Sequence, residues 1–205
     1  MKIKNILIVA ALLMSAGVAK AQQHVAIKTN ILHDATLSPN IAVEYAFLPK
    51  WSFELPFSYN QWPGVKDMIY KHAIFQPAVR YWFCERFNGW FVGIHGIGGM
   101  ATLSNGPDFS QYYHKFPNLN NYKLEKALVL GGGVSFGYDV SLARHWNLEF
   151  ELGLGYIYAN GDLYEMVDNG AGRKVPQKNA LPVVKEAEFD YVGPTKASVA
   201  IVYIF

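Results

Sequence analysis

The chain holds one cysteine, Cys84. No internal disulfide can form, and the thiol reads as a small packed side chain. No apolar run is long enough for a membrane helix: Ile6–Met14 falls well short of the roughly 20 residues a helix needs to span a bilayer. A sustained helical period is missing as well, which argues against a bundle. His24, His33, His72, His95, His114 and His145 show no metal-ligand spacing, and no motif for a cofactor is present. Charge is sparse and nearly balanced, with 18 Lys and Arg against 16 Asp and Glu. What the chain does have is aromatics, at 15%, and 18 glycines. Together with the lack of helical period, these point to β-structure.

The amino-terminal segment reads as an export signal. Lys2 and Lys4 supply the positive region, Ile6–Met14 the short apolar region, and Ala19-Lys20-Ala21 the small residues before a cleavage site at Gln22. The expected organisation is a signal peptide over 1–21 and one domain over 22–205, with no cysteine at the cleavage site to carry a lipid anchor. Without Lys2, Lys4 and Lys20, 15 basic side chains remain against 16 acidic ones, a balance near −1. The basicity of the full chain belongs to its signal, and nucleic acid is not an expected partner.

Through the rest of the chain the period is two. Ile41, Val43, Tyr45 and Phe47 alternate with Asn40, Ala42, Glu44 and Ala46. Trp51, Phe53, Leu55, Phe57 and Tyr59 alternate with Ser52, Glu54, Pro56 and Ser58. Phe75, Pro77, Val79, Tyr81 and Phe83 oppose Gln76, Ala78 and Arg80, while Trp90, Val92 and Ile94 oppose Phe91, Gly93 and His95. Trp146, Leu148, Phe150, Leu152, Leu154 and Tyr156 oppose Asn147, Glu149, Glu151, Gly153 and Gly155. Segments from Val25, Leu128 and Ala197 bring the count to eight. One face carries large apolar groups and the other mixes glycine with charge, which is the inside-out pattern of a lipid-facing wall around a polar interior. Short links at Leu48–Lys50, Cys84–Asn88 and Ser141–His145 alternate with long ones at Leu32–Pro39, Gln61–Lys71, Thr102–Lys126 and Ala159–Pro194. The expected fold is all-β: an eight-stranded antiparallel transmembrane up-and-down β-barrel of the outer membrane. Trp51, Trp82, Trp90 and Trp146 lie beside the short links with Phe47, Phe87, Tyr203 and Phe205, and read as the periplasmic aromatic girdle. A soluble periplasmic sandwich would also alternate but needs no apolar outer wall. Pro56 and Pro77 count against regular strands, because each removes a ladder donor.

The segment Ser198–Phe205 resembles the terminal targeting strand of bacterial outer-membrane barrels, with Tyr203 and Phe205 as the assembly signal read by the barrel-insertion machinery. A second resemblance rests on Asn30-Ile31-Leu32-His33-Asp34-Ala35-Thr36-Leu37-Ser38-Pro39-Asn40, Arg80-Tyr81-Trp82-Phe83-Cys84, Phe87-Asn88-Gly89-Trp90-Phe91-Val92-Gly93 and Arg144-His145-Trp146-Asn147-Leu148-Glu149. These resemble a Bacteroidota-type outer-membrane barrel family that carries a domain of unknown function and is often encoded near fimbrial components. The resemblance implies a cell-surface role and brings no catalytic residues with it.

The inward set Glu44, Glu54, Arg80, Glu149 and Glu151 reads as a polar network filling the interior, with Lys28 or Lys196 as further partners. An eight-stranded barrel is just wide enough for side chains to fill. An acid/base pair or a cation site is the functional alternative for the same carboxylates. Ser135, His95 and Glu149 are the nearest approach to a hydrolytic triad, and they stand for the enzyme alternative, a lipid-A acyltransferase or deacylase. In the loop Thr102–Lys126, Tyr112, Tyr113, Phe116 and Tyr122 lie among amides and prolines, a composition suited to a surface protein or glycan ligand. The remaining expected partner is outer-membrane lipid.

Overall fold

The computed structural model describes residues 24–62, 69–104, 122–168, 174–176 and 182–205. Among these the chain is all-β apart from one short helix. The strands are β1 (Val25–Asn30), β2 (Asn40–Leu48), β3 (Trp51–Asn60), β4 (Ile69–Phe75), β5 (Ala78–Trp82), β6 (Gly89–Ser104), β7 (Tyr122–Ala143), β8 (Trp146–Asp168), β9 (Lys174–Pro176) and β10 (Val184–Ile204). The helix is α1 (Ile31–Ala35). No helix among the described residues is long and apolar enough to cross a membrane.

All pairings are antiparallel, and the sheet closes on itself. Its order runs β10, β1, β2, β3, then β4 and β5, then β6, β7 and β8, and β8 pairs back onto β10 from Tyr203↔Trp146 to Val184↔Leu163. Nine strands form the ring, and β9 adds a short pairing to β8 outside it. Closure matters physically because it pairs the edges that an open sheet would expose, although β1 covers β10 only from Ala200 to Ile204.

Strands β4 and β5 fill successive parts of one gap. Each pairs β3 on one side and β6 on the other, and they are separated only by Gln76 and Pro77. Pro77 has no N–H to give a ladder, so the strand breaks there. Gln76 N still donates to Pro56 O at 3.1 Å, and Gly96 N to Pro77 O at 2.9 Å, which bridges the break on both sides. Pro56 itself stays within β3, opposite Ala42.

Three of the four long links expected from sequence are shorter, and the strands beside them longer, whereas Leu32–Pro39 stays between β1 and β2. β6 continues to Ser104 and β7 begins at Tyr122, while β8 continues to Asp168 and β10 begins at Val184. Bulges explain why the two-residue period hides this. The register shifts between Glu125 and Leu128 and between Pro194 and Lys196, so alternation changes phase within a continuous strand.

The short links all lie at one end, with the carboxyl terminus. There Ile204 N donates to His145 O at 2.8 Å and Phe205 N donates to Val25 O at 3.0 Å. Between β5 and β6, Phe87 (φ 58°) and Gly89 (φ 77°) take left-handed conformations, which Gly89 adopts without strain. Cys84 in this link is free and exposed, not packed as expected.

The two faces of the ring differ completely. Outside stand Leu152 and Ile94, both 71% exposed, with Val134, Leu154, Phe136, Phe53 and Trp146. Inside lie Glu44, Glu54, Arg80, Glu149, Glu151, Lys28 and Lys196, all buried. Below this charged layer, at the end with the short links, Ala26, Ala46, Trp82, Phe87, Phe91, Val202 and Ile204 form an apolar plug. Two members overturn the expected girdle. Trp82 is fully buried and Phe87 nearly so, whereas Trp51, Trp90 and Trp146 do point outward. Trp82 continues the inward series of Ala78 and Arg80, and the tight link turns Phe87 back into the ring.

Candidate functional site

Six strands deliver one charged side chain or more to a single interior layer, because each charge falls on the inward phase of its strand. Lys28 comes from β1, Glu44 from β2, Glu54 from β3, Arg80 from β5, Glu149 and Glu151 from β8, and Lys196 from β10. Glu44 and Glu54 are direct cross-strand partners, an arrangement that repels unless a cation sits between them. Arg80 supplies that cation. Its Nη1 lies 3.1 Å from Glu44 and 3.0 Å from Glu149, and its Nη2 lies 2.7 Å from Glu54 and also pairs Glu151. A planar guanidinium suits this role, since it presents donors along two edges at once.

The lysines close the layer. Lys196 reaches Glu54 at 2.8 Å and Glu151 at 2.9 Å, while Lys28 pairs Glu44 and Glu149 and lies 3.6 Å from Glu54. Ser52 donates its hydroxyl to Glu44, and Trp82 Nε1 donates to Ser52 Oγ at 2.9 Å, linking the layer to the plug. Phe91 links them again, with the Arg80 guanidinium 4.5 Å from its ring centre. Four carboxylates against three cations give the layer a formal charge of −1. Glu54, Glu149 and Glu151 offer oxygens within 4.8 Å of one another, a spacing that would suit a metal ion. The cation among them is the Arg80 guanidinium.

The structure does not join Ser135, His95 and Glu149 into a triad. His95 Nε2 bonds Thr195 Oγ1 at 2.9 Å, and Glu149 bonds Arg80 and Lys28. Ser135 and His95 do approach one another around Gly153, where an added Cβ would lie 2.8 Å from His95 and 3.4 Å from Ser135. Gln76, at the break between β4 and β5, donates from Nε2 to Thr195 O at 3.0 Å. This ties the interrupted wall to the bulge in β10.

Above the charged layer is a cavity of about 40 Å³, room for about three waters at 10–15 Å³ each. Lys28, Lys196, Glu54, Gln76 and Asn40 are among its lining, with His33 of α1 at its upper side. Burial holds the His33 ring below the usual histidine range, with Asp34 pulling the other way and Lys196 reinforcing the shift.

The segment around α1 is a hydrogen-bonded cap that sequence reasoning missed. Asn30 Oδ1 accepts from Leu32 N at 3.1 Å as the helix N-cap. The same side chain donates to Ala197 O at 3.0 Å and accepts from Val199 N at 3.2 Å, continuing the β1–β10 ladder past the end of β1. Asn40 Nδ2 donates to Asn30 O at 3.0 Å and to Asp34 Oδ1 at 2.9 Å. The signal was available in Asn30 and Asn40 at the two ends of a segment read as a link and as part of the family resemblance, with no cap assigned to it.

The loop aromatics divide. Tyr112, Tyr113 and Phe116 lie outside the described residues, as does the expected signal peptide. Tyr122 is not in a loop: it opens β7 and packs against the cluster of Leu124, Ala127, Leu163, Ala187 and Phe189. Tyr203 stands 4.9 Å from the Trp146 ring and 5.0 Å from the Phe205 ring, at the end of the ring where the short links gather.

The family model described as protein of unknown function, DUF3575, matches residues 6–205. The chain belongs to the DUF3575 family. No curated protein and no solved structure matches the chain.

Proposed function

We propose that this DUF3575 member is a transmembrane barrel of the bacterial outer membrane that is filled rather than open. It acts without catalysis, as a structural or cell-surface interaction protein. On this reading β4 and β5 are two pieces of one interrupted stave, which makes eight staves around the ring. Export uses the segment 1–21, and the insertion machinery reads the strand ending in Tyr203 and Phe205.

The observation that carries the reading is the inversion of the two faces. A soluble protein of this size rarely leaves a continuous apolar surface of such extent, and it does not place seven charges in its core while doing so. Lipid around the wall removes the first difficulty, and the ion pairs of the layer remove the second. The charged layer and the plug together close the interior to passage of solutes. Contact with a surface protein or glycan then falls to the outer links, and the surface role fits the resemblance to barrels encoded near fimbrial components.

Detergent extraction of separated membranes, combined with protease mapping on intact cells, tests the reading. The expected result is a heat-modifiable, outer-membrane protein cleaved only in the long links. Recovery in the soluble periplasmic fraction would refute it. A lipid-A profile that changes on His95→Ala or Glu149→Gln in a folded barrel would instead favour the lipid-modifying enzyme.

A further inference from the structure

The link between β1 and β2 covers the upper side of the interior cavity, where His33 joins Lys28, Glu54 and Lys196 in the lining. Little apolar packing holds it there. No residue of α1 is buried, and Ile31, Leu32 and Leu37 are exposed. The link is held instead by side-chain hydrogen bonds at its two margins. On the β1 side, Asn30 N donates to Asn40 Oδ1 at 2.7 Å and Asn40 Nδ2 donates to Asn30 O at 3.0 Å, which clamps the two ends of the link together. Asp34 is tied to the same margin, accepting from Thr29 Oγ1 and from Asn40 Nδ2, each at 2.9 Å. On the β3 side, Trp62 Nε1 donates to Leu37 O at 2.6 Å, and Asn60 Nδ2 donates to Ser38 Oγ at 3.2 Å.

The link is also strained. α1 ends in a Schellman motif, with Ser38 N donating to His33 O and Leu37 N to Asp34 O, both at 2.9 Å. That motif puts the residue after the C-cap in the left-handed region, a place glycine usually takes. Here the residue is Leu37, at φ 56°. Its Cβ makes the conformation costly, and release of the link relieves the cost. A segment with few buried apolar contacts and exposed hydrogen bonds opens without the rest of the fold.

We propose that residues 31–38 form a lid, hinged at the Asn30–Asn40 clamp and latched by Trp62 and Asn60, which lifts to open the cavity to solvent. The inference goes beyond the filled barrel proposed above, because it gives the interior a second, solvated state. Lifting draws His33 away from Lys196 and lets water reach Lys28, Glu54 and Lys196 from the end opposite the short links. It makes no channel, since the ion pairs below and the plug stay in place. The chamber that opens is blind, and Gln76, Ser58 and Ser198 line it together with the two lysines. Such a lining suits small polar solutes rather than apolar ones.

The test uses the protein refolded in detergent, so that its outcome does not depend on whether the wall meets lipid. Cys84→Ser with Ser58→Cys places a single thiol in the cavity lining. Its reaction with a small cationic methanethiosulfonate is timed at one pH. With the lid down, this thiol should react far more slowly than exposed Cys84 in the unaltered protein. Asp34→Ala and Trp62→Phe should each speed the reaction about tenfold, the scale of one hydrogen bond, with the urea midpoint unchanged. Leu37→Gly should slow it, because glycine takes the left-handed conformation without strain. Ser198→Cys reports from the same lining if Ser58→Cys does not fold. A cavity thiol as fast as Cys84, or rates unchanged in both Asp34→Ala and Trp62→Phe, would overturn the lid. So would a rise that follows a lowered urea midpoint, which reports unfolding of the whole ring, and so would faster reaction in Leu37→Gly.

Discussion

Arg80 and Trp82 are two residues apart on β5, both face inward and both are fully buried, yet they are held by opposite means. Arg80 is surrounded by four carboxylates, whereas Trp82 packs against Phe91 at 4.7 Å and Phe87 at 5.9 Å, with one hydrogen bond to Ser52. One layer depends on charge balance and tolerates changes that preserve or improve it. The other depends on volume and tolerates changes that preserve shape. Placing both in one ring stacks two buried layers of different chemistry across its interior.

Substitutions read out by urea titration of the refolded protein separate the two layers. The largest loss is expected for Arg80→Met, about 4 kcal/mol, because four carboxylates then share two lysines and the layer moves from −1 to −2. If Arg80→Met proved harmless, charge balance would not be what holds the layer. Phe91→Ala should lose about 3 kcal/mol through the cavity it leaves in the plug. Combined with Arg80→Met its effect should be less than additive, since Phe91 touches both Trp82 and Arg80. Full additivity would mean that the layers are independent.

Smaller effects test the faces against each other. Leu152→Arg places a cation on the wall at a position 71% exposed, and should lose about 2 kcal/mol when the surroundings are lipid. Its neighbour Glu151 is buried and ion-paired, but Glu151→Gln brings the layer from −1 to neutral and keeps an acceptor for Arg80 and Lys196. The expected loss is about 1 kcal/mol or less, the scale of one hydrogen bond. A larger loss for Glu151→Gln than for Leu152→Arg would mean the wall is not in contact with lipid.

The charged layer was legible in the sequence because every member falls on a clean two-residue alternation. Glu44, Glu54, Arg80, Glu149 and Glu151 could be assigned to one face from phase alone, and Lys28 and Lys196 followed as the available counter-charges. The plug was not legible in full. Trp82 and Phe87 sit where a girdle was expected, and tryptophan beside a short link reads equally well as an interfacial anchor or as filling for the narrow end of a ring. Phase argued for the inward side of Trp82, since Arg80 precedes it by two, but residue type argued the other way. Strand lengths were lost for a different reason: bulges at Glu125–Leu128, near the start of β7, and at Pro194–Lys196, in the middle of β10, reset the alternation. The cap at α1 depends on side chains of Asn30 and Asn40 standing in for ladder residues, a use that periodicity does not register.

The most direct test of the account is a nitroxide scan along β8 of the refolded protein in vesicles, one label at a time from Asn147 to Leu154, in a Cys84→Ser background. Collision rates with oxygen, which partitions into lipid, and with a water-soluble nickel chelate report what each position faces. The account predicts a period of two, with oxygen contact high and nickel contact low at Leu148, Phe150, Leu152 and Leu154, and both low at Asn147, Glu149, Glu151 and Gly153. Strong nickel contact at Leu148, Phe150, Leu152 and Leu154 would place the apolar wall in water and contradict it.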